Sequence, residues 1–315
     1  MGVWESMLPH MFFCFNLENS MTTLRDSLHS ARGLQFVGVP SALCARLIER
    51  QGFDGLYISG AVLSQFVHGM ADDGSLTLEQ VAHFTATIHA ASSLPLLVDV
   101  DTGFGEGEED TDVGKCLWAL ADAGAAAVQI EDQVEAKKCG HLEGKQLVSL
   151  EAMCAKIRSG VAAREGLPGE GPLLVARTDA KGVTGWDDAV TRARAYREAG
   201  ADVIFIEALD SAGEFQAFAE ACPGPLLANM TEFGRSPLLS REELASLGYT
   251  IIIYPGLLMR SMLTAAEEAL EHLRAHGEQG ALLERMWSRK RLYDLIGYDH
   301  AVPDPAAPAR ETADA

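Results

Sequence analysis

The sequence predicts a (β/α)8 barrel, an α/β fold in which eight parallel strands alternate with helices. Eight short apolar runs recur along the 315-residue chain, and an amphipathic segment follows each of the first seven. The runs are continuously apolar, which is typical of parallel strands covered on both faces. Repetition of the β-then-α unit eight times favours a closed barrel.

The predicted strands are rich in valine, isoleucine and leucine. In chain order they are LQFVGVP (34–40), GLYISG (55–60), LPLLVDVD (94–101), AAVQIED (126–132), PLLVARTDA (172–180), DVIFIEA (202–208), PLLANM (225–230) and TIIIYPG (250–256).

The intervening segments have the periodicity of helices. They span 41–52, 77–92, 112–125, 150–165, 186–201, 212–222 and 240–248, and two further helices are predicted near 261–276 and 279–296. Thr77, Ser149 and Ser240 stand at the positions of N-caps, and several segments end in glycine.

A doubly wound open sheet is the alternative fold. It would place a glycine-rich phosphate loop after the first strand, but no G-x-G-x-x-G follows residues 34–40. The glycines of TGFGEG (102–107) precede EEDTD, whose acids would repel a pyrophosphate. We therefore expect one barrel domain over 22–298, with a disordered leader at 1–21 and a disordered Pro/Ala-rich tail at 299–315.

Composition excludes several classes of partner. The formal net charge of −20 argues against nucleic acid, which needs a basic face. No apolar run has the ~18 residues of a membrane span. The six cysteines contain no C-x-x-C pair, which argues against a disulfide scaffold or a zinc site and favours a reducing, cytoplasmic setting.

Polar residues follow nearly every predicted strand, and strand ends carry the active sites of such barrels. Asp99 and Asp101 are two residues apart, so both carboxylates point to one face of a strand. This pair suits Mg²⁺, with Mn²⁺ as the alternative, and Glu131 and Asp132 could hold metal-bound waters. A helix cap and a buried ion pair are the structural alternative.

Positive charge is scarce near the predicted strand ends. The candidate cations are Lys137, Lys138, Arg177, Arg260 and Arg289. An arginine at the position of Arg177 either pairs with a carboxylate of the cleft or binds one on a substrate, because an unpaired buried charge is costly.

The stretch KKCGH (137–141) places a thiol between cations. Nearby positive charge lowers the pKa of a cysteine and favours the thiolate. Cys139 could then serve as a nucleophile or as a general acid, and an ordinary surface loop explains the pentapeptide equally well.

Taken together, the strand ends resemble the isocitrate lyase and phosphoenolpyruvate mutase superfamily, and within it most of all the 2-methylisocitrate lyases. The matching segments are YISG, LLVDVDTGFG, IEDQVEAKKCGH, LLVARTDA, IFIEA, LANMTEFG, YPGLLMRSM and SRKRLY, which lie between residues 30 and 298. KKCGH is specific to the lyase branch.

The resemblance implies a role for each matching residue. Asp99 and Asp101 would hold Mg²⁺, with Glu131 behind a water, and Cys139 and Gly140 would lie on a mobile gating loop. Substrate would contact Ser59, Gly60, Ala61, Asp72, Cys139, Gly140, Arg177, Glu207, Asn229, Met230, Thr231, Arg260 and Arg289. Ala61 stands where close relatives usually have glycine.

The implied reaction is the cleavage of 2-methylisocitrate, a tricarboxylate, to pyruvate and succinate in propionate catabolism. Cys139 would protonate the succinate carbanion, Lys137, Lys138 and His141 would tune the thiol and hold carboxylates, and Tyr57 is a candidate base. The family barrel exchanges its last helix between subunits, so a homotetramer built as a dimer of dimers is expected.

Other activities remain open at this stage. Within the family, the substrate could be 2,3-dimethylmalate, another alkylmalate, isocitrate or oxaloacetate. A Schiff-base aldolase would need a lysine at a strand end, and none of the eight predicted ends supplies one. A non-catalytic oxo-acid-binding protein would be favoured by the loss of Asp99, Asp101 or Cys139, and all three are present.

Overall fold

The eight predicted strands close into a parallel barrel. The structure, a computed structural model, describes residues 17–104, 113–134 and 144–298. Neighbouring strands pair in sequence order, and pairing of Leu34 with Ile251 joins the last strand to the first. The barrel prediction is thereby confirmed and the open sheet is excluded.

Each strand is shorter than its apolar run but lies within it. The bounds are β1 Leu34–Gly38, β2 Gly55–Ile58, β3 Leu96–Asp99, β4 Ala127–Glu131, β5 Leu173–Thr178, β6 Val203–Ile206, β7 Leu226–Asn229 and β8 Ile251–Tyr254.

Helices surround the barrel and close one end of it. They are α1 Leu17–Ser30, α2 Ala42–Arg50, α3 Gly60–Val62, α4 Leu78–His89, α5 Val113–Asp122, α6 Leu150–Glu165, α7 Trp186–Glu198, α8 Ala212–Ala221, α9 Arg241–Ser246, α10 Leu257–His276 and α11 Arg289–Ile296. A π-helical turn (Leu63–Val67) and two 3₁₀ turns (Ala180–Gly182 and Gly280–Arg285) complete the described elements.

The predicted helix starts have the expected chemistry. Thr77 and Ser240 each form a capping box, with Gln80 and Glu243 respectively, and Ser149 accepts a hydrogen bond from the amide of Ala152. Such caps satisfy amides that have no partner within the helix.

The single helix predicted over 279–296 is wrong. The chain forms the 3₁₀ turn at 280–285, becomes extended at Met286, and starts α11 after Ser288, whose hydroxyl accepts from the amide of Arg291. The N-cap serine thus divides the segment, because its side chain satisfies an amide at a new helix start.

The core has two layers, and α1 belongs to the inner one. Leu24 and Leu28 of α1 pack with inward-facing strand residues such as Phe36 and Phe205, while a second cluster lies between the strands and the outer helices. Arg25 also pairs with Asp202, at the amino end of β6. Helix α1 therefore closes the amino end of the barrel and crosses the boundary predicted at residue 21; the division into domains stays a prediction.

Helix α10 leaves much apolar surface exposed. Leu263, Leu270 and Leu273 are each 46–66% exposed. Among the described helices, none is long and apolar enough to cross a membrane.

Candidate active site

Side-chain alternation along the strands places the polar residues over the apolar floor of the barrel. On β3 the inward series begins with Leu97 and continues through Asp99, and on β6 Phe205 is followed two residues later by Glu207. Because alternate residues of a strand share a face, the apolar members fill the interior and the polar members crown its carboxyl end.

The carboxylates of Asp99 and Asp101 lie together as predicted. Oδ1 of Asp99 accepts a hydrogen bond from the amide of Asp101 at 3.2 Å, and Oδ2 accepts from the amide of Gly60 at 3.3 Å. A Cβ atom at Gly60 would lie 3.1 Å from Asp101 Oδ1 and 3.5 Å from Asp99 Oδ2. The absence of a side chain at Gly60 therefore keeps open the space between the two carboxylates.

This donor set fits Mg²⁺. Hard carboxylate oxygens are its preferred ligands, and the ion usually takes one or two of them while keeping waters and substrate oxygens. Among the described residues, no group of three His, Cys, Asp or Glu side chains converges on one point. An ion held by Asp99 and Asp101 would consequently complete its coordination shell with water and substrate.

Arg177 is the hub of the second half of the site. Its Nη1 lies 3.2 Å from Glu131 Oε2, its Nε 2.9 Å from Asp179 Oδ2, and its Nη2 3.4 Å from Glu207 Oε2. The guanidinium also lies over the ring of Phe205, 5.3 Å from its centroid. Glu131 joins this hub to the metal pair, since its amide donates to the carbonyl of Asp101 at 2.9 Å.

Electrostatics keep the hub charged and leave the site acidic. Burial alone would lower the pKa of Arg177, but the carboxylates of Asp179, Glu131 and Glu207 raise it well above its ordinary value. With every group ionised, the described site has five carboxylates and two cations: Asp99, Asp101, Glu131, Asp179 and Glu207 against Arg177 and Lys145. This excess of negative charge favours a divalent cation and disfavours an anionic substrate without one.

Glu207 extends the hub toward β7. Both of its oxygens accept from Nδ2 of Asn229, at 3.4 and 3.2 Å, and Oε1 also accepts from the amide of Ala208 at 2.9 Å. The site therefore forms one continuous arc across five strand ends, from the metal pair through Glu131, Arg177 and Glu207 to Asn229.

The candidate base Tyr57 is buried, and its catalytic role stays a prediction. Burial and, next, the charge of Asp99 raise its pKa well above the ordinary value of 10.0. The phenol therefore stays protonated at neutral pH and donates to Gln129 Oε1 at 3.4 Å. Gln129 Nε2 in turn donates to Asp99 Oδ1 at 3.3 Å, so Tyr57 lies on the barrel floor beneath the metal pair.

Asp132 is expected from the sequence to hold metal-bound water, but its carboxylate points away from the metal pair. Its Oδ2 accepts from Thr178 and Tyr196, both at 2.7 Å, and its Oδ1 accepts from the amide of Asp179 at 2.9 Å. Arg192 adds an ion pair at 3.4 Å. The carboxylate thus faces α7 and ties β4 to β5, because consecutive residues of a strand point to opposite faces and Glu131 takes the inward one.

The predicted substrate contacts on the loops have mixed outcomes. Ser59 caps α3, its hydroxyl accepting from the amide of Val62 at 3.4 Å, and Ala61 follows in that helix. The side chain of Met230 is buried in the outer layer, so only its backbone faces the site, and a substrate contact there stays a prediction. Thr231, the next residue, is half-buried.

Asp72 is half-buried on the loop before α4. The following segment, from Gly74 to Leu78, lines a cavity of about 340 Å³ together with Asp101, Thr102 and Phe104. The loop that carries Asp72 therefore borders the metal pair, and a direct role for Asp72 stays a prediction.

The two C-terminal arginines differ in position. Arg260, in the first turn of α10, lies 3.5 Å from Glu232 of the loop after β7 and stacks over Phe233, 5.3 Å from the ring centroid. Arg289 begins α11, which packs against α2. Arg260 is thus at the rim of the site, whereas a substrate contact by Arg289 stays a prediction.

The predicted catalytic stretch KKCGH lies outside the described residues; it comprises Lys137, Lys138, Cys139, Gly140 and His141. The chain on either side of them is anchored at the carboxyl end of β4. Gln133 bridges to Leu147, and the amide of Val134 donates to the carbonyl of Gln146 at 3.0 Å. Along the chain, Cys139 is five residues from both Val134 and Gly144.

Four further buried polar side chains around the site are not predicted from the sequence. Lys145 Nζ lies 2.8 Å from Asp179 Oδ1, and Lys156 Nζ donates to the carbonyl of Thr102 at 3.0 Å. Gln129 and Asp179 continue the inward series of β4 and β5, two residues from Glu131 and Arg177 respectively. Alternation could have identified those two, whereas nothing in the helical pattern distinguishes Lys156.

The chain is similar in sequence to proteins of known family. A family model described as phosphoenolpyruvate phosphomutase matches residues 24–274. The chain is 45% identical over 282 residues to a 2-methylisocitrate lyase of Aeropyrum pernix, covering 90% of this chain and 89% of that one.

Two solved structures are similar in fold. A 2,3-dimethylmalate lyase superposes with a TM-score of 0.81 at 35% identity, covering 88% of this chain and 91% of that one. A phosphonopyruvate hydrolase in complex with oxalate and Mg²⁺ gives 0.77 at 29% identity, with coverage of 88% and 94%.

Proposed function

Because the chain belongs to the phosphoenolpyruvate mutase/isocitrate lyase superfamily and is a carbon–carbon lyase, we propose that it cleaves 2-methylisocitrate to pyruvate and succinate. The observation that carries the proposal is the arc from Asp99 and Asp101 through Arg177 to Asn229, in a chain 38–45% identical to several proteins named 2-methylisocitrate lyase. A non-catalytic oxo-acid-binding role is set aside, since these relatives are lyases.

The chain's residues divide the substrate into two halves. Ser59, Gly60 and Ala61 contact the carboxylate of the oxo-acid half, and Asp99 and Asp101 would hold Mg²⁺. When bound, Mg²⁺ supplies Lewis-acid character and positive charge to that half. The related phosphonopyruvate hydrolase was solved with oxalate and Mg²⁺, which supports the choice of metal.

The other half of the substrate becomes the leaving group. A general base takes the 2-hydroxyl proton. The oxygen then becomes the carbonyl oxygen of pyruvate, and the electron pair of the broken carbon–carbon bond moves to the succinate carbon. Cys139 donates its proton to that carbon, and Lys137, Lys138 and His141 stabilise the negative charge. Arg177, held rigidly by three carboxylates, orients the reacting centre together with Asn229.

The assembly we propose is a dimer of dimers in which α10 is exchanged between subunits. The exposed side chains of Leu263, Leu270 and Leu273 on α10 form an apolar surface, which would remain in contact with water in a monomer. Light scattering during size-exclusion chromatography at micromolar concentration should give a mass near four times 33.8 kDa. A monomeric mass would contradict the exchange.

The substrate is tested by incubating the purified protein with Mg²⁺ and, separately, 2-methylisocitrate, isocitrate, 2,3-dimethylmalate and oxaloacetate. Release of the oxo acid or of oxalate is followed by coupled assay and by NMR. We expect pyruvate from 2-methylisocitrate, with kcat/KM about 10–200-fold above that for isocitrate, since one buried methyl group discriminates by ~1–3 kcal/mol.

The outcomes of this panel are distinct. Faster turnover of 2,3-dimethylmalate or of oxaloacetate would reassign the substrate within the superfamily. Turnover of 2-methylisocitrate that is unchanged in excess EDTA would contradict the role of Mg²⁺. A cytoplasmic location stays a prediction.

A further inference from the structure

We propose that Lys156 is a positioning residue for Asp101, fixing the loop that presents this carboxylate to the metal. The inference rests on the proposed function, because it assumes that Asp99 and Asp101 bind a divalent cation. Lys156 belongs to α6 and does not itself reach the metal pair; it acts through the carbonyl of Thr102, the residue after Asp101.

The burial of Lys156 calls for an explanation. Only 4% of the residue is exposed, on a helix whose neighbouring inward residues are Met153, Ile157 and Gly160. An ammonium group removed from water is unfavourable unless it is hydrogen-bonded, and an apolar side chain would pack at that position without this cost. The 3.0 Å bond from Nζ to the Thr102 carbonyl is therefore a specific contact.

The loop that receives this bond is strained. Asp101 has φ +50°, Gly103 +103° and Phe104 +56°, so two residues with side chains occupy the left-handed region within four positions. Aspartate tolerates this region better than most residues, whereas phenylalanine adopts it only when the surrounding structure imposes it.

A cavity borders the loop on one side. Asp101, Thr102 and Phe104 line the cavity of about 340 Å³ that also contacts Leu76 and Leu78. Lys156 approaches the loop from α6, and the amide of Glu131 donates to the carbonyl of Asp101 at 2.9 Å. Loss of the ammonium would allow the Thr102 peptide to turn, relax the φ angle of Asp101, and move its carboxylate away from Asp99.

Lys156→Met is expected to weaken metal binding without loss of the fold. Mn²⁺ affinity, measured by electron paramagnetic resonance titration in the absence of substrate, should fall about 10–100-fold, the usual effect of removing a group that orients a metal ligand. Thermal unfolding should remain cooperative. Lys156→Gln, one bond shorter and neutral, tests the same contact if the methionine variant fails to fold.

Arg197→Met is the matched control. Arg197 also lies on a barrel helix and donates to a backbone carbonyl, Pro225 O at 3.0 Å, but at the amino end of β7. The Arg197→Met variant should bind Mn²⁺ with the affinity of the parent protein. Parental affinity in a folded Lys156 variant would overturn the inference alone, whereas a parent protein that binds no Mn²⁺ would overturn the proposed metal site and the inference with it.

Discussion

Replacing Asp101 with asparagine should reduce Mg²⁺-dependent turnover by at least about 10³-fold. Loss of one of two carboxylates removes most of the Lewis acid's contribution, on the order of 4 kcal/mol, and each ~1.4 kcal/mol corresponds to a factor of ten. Asparagine tolerates the left-handed backbone conformation nearly as well as aspartate. The substitution therefore removes a charge from the metal pair while leaving the φ +50° turn intact.

Asp132→Asn is the matched control for Asp101→Asn. Both carboxylates are buried close to the end of a strand, but that of Asp132 accepts from Thr178, Tyr196 and the amide of Asp179. We expect this variant to lose about 1–3 kcal/mol of unfolding free energy, the usual cost of an impaired buried hydrogen-bond network, and to keep its Mn²⁺ affinity.

Two measurements separate the variants. Mn²⁺ titration should show loss of binding for Asp101→Asn only, and urea denaturation should show the larger change in midpoint for Asp132→Asn. Metal-dependent turnover near the parent's in Asp101→Asn would refute the assignment of the metal pair. Loss of Mn²⁺ binding in a folded Asp132→Asn variant would contradict the structural role assigned to Asp132 and implicate its carboxylate in metal binding.

The fold was accessible from sequence because strands of a closed parallel barrel are apolar on both faces. The stretches 96–98 and 251–253 are apolar at every position, unlike a half-exposed strand, and both lie in strands, β3 and β8 respectively. Much of the site was accessible for the related reason that polar residues beyond an apolar run must lie at its carboxyl end.

Side-chain direction could not be obtained from residue type. Asp132 and Met230 follow Glu131 and Asn229 directly, so alternation turns them to the outer layer, although their chemistry suits a site. The protonation state of Tyr57 depends on its burial beneath Asp99, which requires three-dimensional packing. The contact of Lys156 could not be predicted from the sequence either, since only the fold brings α6 to the carbonyl of Thr102.

Cys139→Ser should lower the rate of 2-methylisocitrate cleavage about 10²–10⁴-fold, the range that a positioned general acid contributes. A serine hydroxyl is a far weaker acid than a thiol framed by lysines, so it cannot deliver the proton at the same rate. Binding of pyruvate with Mg²⁺, measured by calorimetry, should change little, because Asp99 and Asp101 are intact.

The proton transfer itself can be followed in reverse. In D₂O with Mg²⁺ and pyruvate, the parent should exchange a methylene proton of succinate for deuterium, and Cys139→Ser should lose this exchange in parallel with turnover. Cys44→Ser removes another thiol, half-buried on α2 beside Met262, and should retain both activities. Near-normal cleavage by Cys139→Ser would refute the acid role. Lost cleavage with retained deuterium exchange would move the defect to a step other than protonation of the succinate carbon.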